Sequence, residues 1–428
     1  MSRIIPAMIA MTGRVTMLGL SRWTEKGGSY RTVQRFFYTL IPWVQVFWNF
    51  FRVRLLDPQD TYLLAGDECV VTKAGDQTHG LDFFFSSLMQ KAVPGLSFFT
   101  LALVSTKQRR SYPVQVEQMI RTATEKAASQ AKKQAKKVKK DAPKKKRGRP
   151  KGSRNKDKAT VELNPELQRI QKMLQSFLRT IQGTLPLTYL LLDGHFGNYP
   201  AFSMVRQCQL HLISKLRYDA ALHFPYSGSS PKRGPRPRLG AKVDVRNIPA
   251  EYLKETKVED GFETRTYQMQ LLHQDFPDPL NVVILLRTNL ATKAWAHVIL
   301  FSSALELSYD KLIDYYSLRF QIEFNFRDAK QFWGLEDFMN VTQTAVTNAA
   351  NLALFMVNVS QVLMCQYRQE DPNFSILDLK AYYRGYRYVT ETIQMLPQKP
   401  DENLVSQLFH KVAALGRIHP VKTPVPSG

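Results

Sequence analysis

Thirty-three residues near the middle of the chain hold more than half of its excess positive charge. Between Lys126 and Lys158 stand thirteen Lys and three Arg against only Asp141 and Asp157, a net of +14 in a 428-residue chain whose formal net charge is +23. No aromatic residue occurs from Pro113 to Ser176, so this stretch lacks the apolar surface that would offset the entropy of ordering it. Its first part, EKAASQAKKQAKKVKK, can extend a helix. Its second, DAPKKKRGRPKGSRNKDK, is broken by Pro143, Gly148, Pro150 and Gly152. The stretch reads as a flexible basic arm, and a core must be assembled from the sequence on either side of it.

That sequence suffices. Hydrophobic residues make up 44% of the chain, an ordinary globular share, and the length allows about two or three domains. A wholly disordered or fibrous protein is excluded. Cys69, Cys208 and Cys365 are scattered and odd in number, which argues for a reducing compartment and against a disulfide framework. The eight histidines show no zinc-ligand spacing. The start, MSRIIPAMIAMTGRVTML, shows no cleavable signal peptide. The most apolar stretch, Phe36 to Phe51, is interrupted by Pro42, Gln45 and Asn49 and falls short of the ~20 residues that span a bilayer. The expectation is a basic intracellular protein, without a membrane role, whose charge faces a polyanion.

Within the arm, Arg147-Gly148-Arg149-Pro150 resembles the core of an AT-hook. An extended Arg-Gly-Arg strip is narrow enough for the minor groove, where A·T-rich sequence attracts inserted arginines. The alternative is a solvated charge run or a localisation patch.

Outside the arm, Thr61 to Ala65 reads as a strand running into Gly66-Asp67-Glu68, and Leu81 to Leu88 and Leu96 to Ser105 are apolar runs of strand length. Val114 to Gln130 has helical character. A helix resumes at Pro165 to Gln182, with apolar residues three and four apart. Leu187 to Leu192 is an almost wholly apolar strand ending in Asp193-Gly194. Tyr199 to Gln207 reads as a helix and His211 to Leu216 as a strand. This order is that of an α/β, ribonuclease-H-like fold with the arm inserted in its first helix. In that fold Asp67 and Asp193, each closing a strand, lie side by side and can share a divalent metal. Either aspartate alone is a strand meeting a turn; the pair acquires meaning only with a third carboxylate.

A helix opening at Ser308 and stopping near Gly334 supplies one. It carries Tyr316, Arg319, Glu323 and Lys330, whose offsets at about 100° per residue fall within roughly 60° of one another. An acid flanked by two cations and a phenol suits a phosphate-handling face. The acid can hold a metal, the cations can hold phosphates, and the ring can pack on a sugar or base.

Tyr316-x2-Arg319-x3-Glu323-x6-Lys330 matches in full the Y-x2-R-x3-E-x6-K signature of a large group of DDE insertion-sequence transposases, and with Asp67 and Asp193 upstream the chain resembles that group from about Thr61 to Asn340. The resemblance implies a DNA transposase that binds terminal inverted repeats and performs metal-dependent phosphodiester cleavage and strand transfer, through hairpin ends or by another cut-and-paste route. It implies Asp67, Asp193 and Glu323 as a catalytic triad binding two Mg²⁺ or Mn²⁺ ions. Hard cations prefer oxygen ligands, and the lack of Cys/His clusters agrees. Tyr316, Arg319 and Lys330 would grip phosphates at the transposon end. The partners implied are DNA ends, target DNA and a second copy of the chain, with no small-molecule cofactor, in a prokaryotic cytoplasm beside the nucleoid. For the first acid, Glu68 is adjacent and Asp76 close by; the strand-end position favours Asp67. Asp328 lies about 140° from Glu323, off the stripe.

Residues 218–303 contain the strand-like runs AKVDVRN, ETRTYQMQLL, LNVVILLRT and WAHVILFS, where the resemblance implies an all-β insertion. Trp295 is the candidate for stacking a flipped base, although a Trp on a strand also suits a core. Lys215 and Arg217 flank the last core strand and could meet phosphate or be plain surface charge. The layout expected is a small helical N-terminal domain (1–60, with Arg22, Arg31 and Arg35) able to bind DNA ends, and a first core segment (61–217) bearing the arm (126–158). The β-rich insertion (218–303) follows, then core helices carrying the Glu (304–370) and a C-terminal region (371–428), loose after Gly416. Ala345 to Cys365 is an apolar core helix. Two other readings compete: a catalytically silent, transposase-derived DNA-binding protein, and a nuclease without strand transfer, which has less need of an end-gripping face.

Overall fold

The computed structural model describes residues 1–24, 28–86, 89–127, 131, 134, 161–229 and 236–419. Nearly all of the basic arm, including Arg147 and Arg149, lies outside the described residues, as does the chain beyond His419.

Strand β1 (Tyr62–Thr72) pairs antiparallel with β3 (Lys91–Ser105), whose outer edge is shared. Strand β2 (Asp82–Ser86) covers its beginning and β4 (Arg110–Gln118) its later part. On the other side β1 runs parallel to β5 (Tyr189–Leu191), and β5 parallel to β6 (His211–Leu216). The spatial order is therefore β4-β3-β1-β5-β6, with β2 as an extra edge piece. Two sequence expectations change here. Residues 110–118 are a strand, and among the described residues helix begins only at 123. This strand is covered on both faces, so it shows no alternation to separate it from a helix. Strand β1 also continues past Ala65, so Asp67 sits in mid-strand rather than at its end.

The sheet does not stop at β6. Strand β12 (Trp295–Ser302) joins it antiparallel, followed by β11 (Leu280–Asn289) and β10 (Phe262–His273). Strands β9 (Leu253–Glu259) and β7 (Leu222–Pro225) both pair with β10, and β8 (Leu239–Lys242) with β7. Residues 218–303 thus contribute strands that prolong the core sheet edge to edge.

Strand side chains alternate between faces, and two cores result. Leu63 and Ala65 point to one core, with α1 (Ile4–Ala10), α2 (Met17–Trp23), α3 (Tyr30–Tyr38), α4 (Trp43–Arg54) and the helices after residue 308. Tyr62 and Leu64 point to the other, under α5 (Pro165–Ile181) and α6 (Tyr199–Gln207). The first 60 residues carry four helices among the described residues, and they do not stand apart. The Trp43 indole N–H donates to Asn348 Oδ1 at 2.7 Å and Lys380 Nζ to the Met8 carbonyl at 2.8 Å.

Helices α7 (Tyr309–Leu318) and α8 (Gln321–Phe332) lead to α9 (Gln343–Tyr367). Helix α9 is long and apolar enough to cross a membrane, yet most of it is buried inside the protein. Three buried asparagines stitch it in place. Asn348 donates to the Phe37 and Thr39 carbonyls, Asn351 to Val116 and Asn358 to Pro113. The last two satisfy carbonyls on the free edge of β4, which an apolar helix alone would leave unpaired. Helices α10 (Ile376–Met395) and α11 (Glu402–Ala414) close the fold. The chain expected to be loose after Gly416 is tied down as far as His419. Ile418 and His419 donate backbone N–H bonds to buried Asp378 at 2.6 and 3.1 Å. Burial pushes the Asp378 carboxyl up, but hydrogen bonds from His419 and Ser375 outweigh it and hold the group well below the usual carboxylate range.

Candidate active site

The parallel register decides where the aspartates fall. Ala65 pairs with Leu191, and Asp67 and Asp193 each lie two residues further on. By alternation Asp67 shares the face of Leu63 and Ala65, the face that α8 covers through Ile322, Phe326 and Ala329. On the opposite face Gly66 leaves room for the second core, because a Cβ there would stand 2.8 Å from Phe99 Cζ and 2.9 Å from Leu192 Cδ2. Past Asp193, Gly197 also permits a close approach: its Cβ would meet the Lys215 carbonyl at 2.2 Å.

The third acid arrives on a broken helix. The sequence predicts one helix from Ser308; instead α7 ends at Leu318 and α8 begins at Gln321. Across the joint the bonds tighten to three-residue steps, Arg319 N–H to Tyr316 O and Glu323 N–H to Phe320 O among them. Tyr316 therefore closes α7, Arg319 occupies the joint, and Glu323 and Lys330 ride on α8.

Asp67, Asp193, Arg319, Glu323 and Lys330 line one cleft of about 780 Å³. Arg319 bridges two of the acids: Nη1 donates to Asp67 Oδ2 at 2.8 Å and Nη2 to Glu323 Oε1 at 3.0 Å. Burial raises the Asp67 carboxyl to about 6; Arg319 and the Glu68 N–H pull it back, while Asp193 and Glu323 push it further up. Burial likewise raises the Tyr316 phenol, which feels Arg319, Asp193 and Asp67. Lys330 Nζ donates to the Val70 carbonyl at 2.8 Å and pairs with Glu336 at 3.1 Å. Among the described residues no three Asp, Glu, His or Cys side chains converge closely enough to hold an ion as they stand. A guanidinium already lies between two of them. The donor set nevertheless suits a hard divalent cation, since Asp67, Asp193 and Glu323 face one cleft, with Glu68 and Glu336 also in its lining, and burial raises one of them, Asp67, above its usual range.

Of the alternatives for the first acid, Glu68 is exposed, also lines the cleft and accepts from the Ser97 hydroxyl, whereas Asp76 sits exposed in a turn outside the cleft lining. Asp328 is clasped by Arg327 at 2.9 and 3.0 Å. Trp295 is not brought to the cleft: it stacks on His297 at 5.5 Å, with the Arg246 guanidinium 4.6 Å from its ring. Arg217 is turned to Asp219, and the Lys215 stem packs over Gly194. The structure adds lining residues that the sequence reading missed: His195, Arg327, Phe85 and Met89. His195 follows Asp193 by two residues, a proximity visible in sequence. Its imidazole is raised chiefly by Glu166, 3.7 Å away, against desolvation.

Behind α8 lies a second hollow of about 400 Å³, lined by Arg110, Phe324, Arg327, Asp328, Arg368 and His419 among others. Burial, and then the charge of Arg110, lowers the Arg368 guanidinium.

A family model described as DDE superfamily endonuclease matches residues 1–274. The match includes Asp67 and Asp193 and ends before the helices bearing Glu323. A search of curated proteins found no match. With the match covering well over half of its length, the chain belongs to the DDE superfamily of endonucleases.

Proposed function

We propose that the protein is the DNA transposase of an insertion sequence, cutting phosphodiesters at terminal inverted repeats and joining the freed ends to target DNA. The observation that carries this reading is the chain Asp67–Arg319–Glu323 facing Asp193 in one cleft. Three acids come there from β1, from the end of β5 and from α8, and the signature arginine sits among them. The order β4-β3-β1-β5-β6 supports a ribonuclease-H-like core. Asp67, Asp193 and Glu323 would hold two Mg²⁺ or Mn²⁺ ions, which when bound supply a polarised phosphate and an activated oxygen nucleophile.

The chain's own residues do the rest. Arg319 neutralises Asp67 and Glu323 until a phosphate arrives, which a guanidinium grips bidentately as well as it grips a carboxylate. Tyr316, half-buried beside it, fixes the direction of the guanidinium. Lys330, held by the β1 backbone, meets a neighbouring phosphate at the far end of the cleft. The basic arm adds affinity that depends on charge more than sequence, with Arg147 and Arg149 favouring narrow minor grooves. Joining two ends calls for two active sites, hence a dimer or larger assembly on DNA, close to the nucleoid.

The Arg319 ion pairs also favour a second reading, in which the guanidinium fills the site permanently and the protein is a silent DNA-binding descendant. One experiment separates them. Purified protein and Glu323→Gln are incubated with Mg²⁺ and a supercoiled plasmid carrying the gene with its native flanks, and new DNA ends are mapped to the nucleotide. Cuts at inverted repeats by wild type alone support the transposase and show whether ends are hairpinned. Binding without cuts by either protein sinks it in favour of the silent reading.

A further inference from the structure

Strand β2, of sequence DFFFS, lies outside the five-strand path and pairs only with the first residues of β3, Phe83 opposite Pro94 and Phe85 opposite Ala92. Its inner side is anchored. Phe84 is buried, with the Arg121 guanidinium 4.9 Å from its ring. Arg121 also donates to the Phe83 carbonyl at 3.3 Å, and Asp82 pairs with Lys126 at 3.3 Å. The outer side is bare: Phe83 is 62% and Phe85 63% exposed. Edge strands normally carry charge or proline on such a face, because exposed apolar edges invite association. Two aromatic rings held outward on a paired strand need an occupant.

The cleft indicates which one. Phe85 and Met89 line the same cleft as Asp67, Asp193 and Glu323. A protein partner seated on Phe85 would cover the mouth through which DNA must reach the acids. The bases next to a phosphate held by Arg319 and Lys330 would instead arrive beside these rings. Residues two apart on a strand are about 6.6 Å apart, roughly twice the ~3.4 Å step between stacked bases. That leaves room for one base between Phe83 and Phe85. We infer that β2 is a nucleobase-stacking ledge, with Phe83 and Phe85 holding an unpaired or end base adjacent to the phosphate under attack. The inference rests on the DNA-cleaving reading of the cleft. Stacking is indifferent to base identity, so the ledge would fix the position of the strand rather than read its sequence.

The test uses the full chain and a duplex of the native flank with 2-aminopurine placed at one position at a time around the cut. The ledge predicts quenched fluorescence at one or two adjacent positions on binding. It predicts loss of that quench in Phe83→Leu and Phe85→Leu, retention in Phe85→Tyr, and about tenfold weaker binding by each Leu variant. Leucine keeps apolar bulk, so folding is preserved while the π-face is removed. The inference is overturned if both Leu variants quench and bind like wild type while wild type still cuts, a result that leaves the cleft's function standing. It is also overturned if the Leu variants lose self-association without DNA, which would make the face a protein contact. If wild type neither binds nor cuts the duplex, the functional reading falls first and the ledge with it.

Discussion

Helix α8 has a hollow on each side, and the two are opposites. In front, five carboxylates (Asp67, Glu68, Asp193, Glu323 and Glu336) share a cleft with Arg319, Arg327 and Lys330, and burial pushes the partly buried Asp67 up to about 6. Behind, Arg110, Arg327 and Arg368 share a smaller hollow in which only Asp328 is acidic, and the half-buried Arg368 is pushed down. Each side therefore crowds like charges that a folded chain ordinarily disperses. Such crowding is costly unless a counter-charge comes from elsewhere. The front site is short of cations and the back site short of anions. A divalent ion and a phosphate chain are the counter-charges that a DNA-cleaving protein meets together.

The largest expected effect breaks the front site. Glu323→Gln should lower cleavage more than 100-fold, beyond the 10–100-fold cost of losing an outer-shell partner. Its melting temperature should barely move, because Glu323 is 41% exposed and such pairs contribute about 1 kcal/mol or less. Arg319→Ala acts on stability instead. It leaves Asp67 buried without its partner, a change worth about 3–5 kcal/mol at neutral pH. The sign follows from linkage. Because the folded-state value of Asp67 is raised to about 6 from 3.8, the folded protein binds more protons than the unfolded chain between those values, so stability falls as pH rises through that window. Thermal melts from pH 4 to 7 should show this fall in wild type, a fall extending to higher pH in Arg319→Ala, and a flatter profile in Asp67→Asn. Mg²⁺ should stabilise Arg319→Ala more than wild type. If it does not, the guanidinium is no stand-in for a cation.

Gly66→Val tests how the front site is built. The added side chain meets Phe99 and Leu192, an overpacking that costs about 1–3 kcal/mol. Cleavage should fall by more than unfolding accounts for, as measured at a temperature where the variant is fully folded, because β1 cannot shift without carrying Asp67 with it. None of this was legible in the sequence, where Gly66 read only as part of a strand meeting a turn. The three acids stood out in the sequence because an apolar run precedes each aspartate and a helix stripe carries the glutamate, although Asp67 lies in mid-strand rather than at the strand end expected. The helix break at Arg319 was not, since all residues there keep helical dihedrals and the apolar period runs through it. Strand β4 was mistaken for helix for the reason that a doubly covered strand loses its alternation. The N-terminal helices gave their amphipathic pattern away but not their partner, α9, which lies some 300 residues downstream. Phe83 and Phe85 passed as ordinary strand residues because sequence alone cannot tell an edge from a centre.

The smallest expected effect sharpens the back site. Arg110→Gln removes a charge that presses on Arg368 without touching the acids of the front cleft. Stability should therefore change by no more than about 0.5 kcal/mol, as surface-type substitutions do, and in the favourable direction because a repulsion is relieved. If the back hollow meets a DNA phosphate, binding should weaken evenly across sequences, and the slope of log affinity against log salt should shrink by about 1. An unchanged slope with unchanged cleavage would mean that the arginines of the back hollow serve the protein's own packing. Arg368 then keeps its place through its bond to the Phe374 carbonyl at 2.8 Å. The opposition across α8 would in that case be structural behind and chemical only in front.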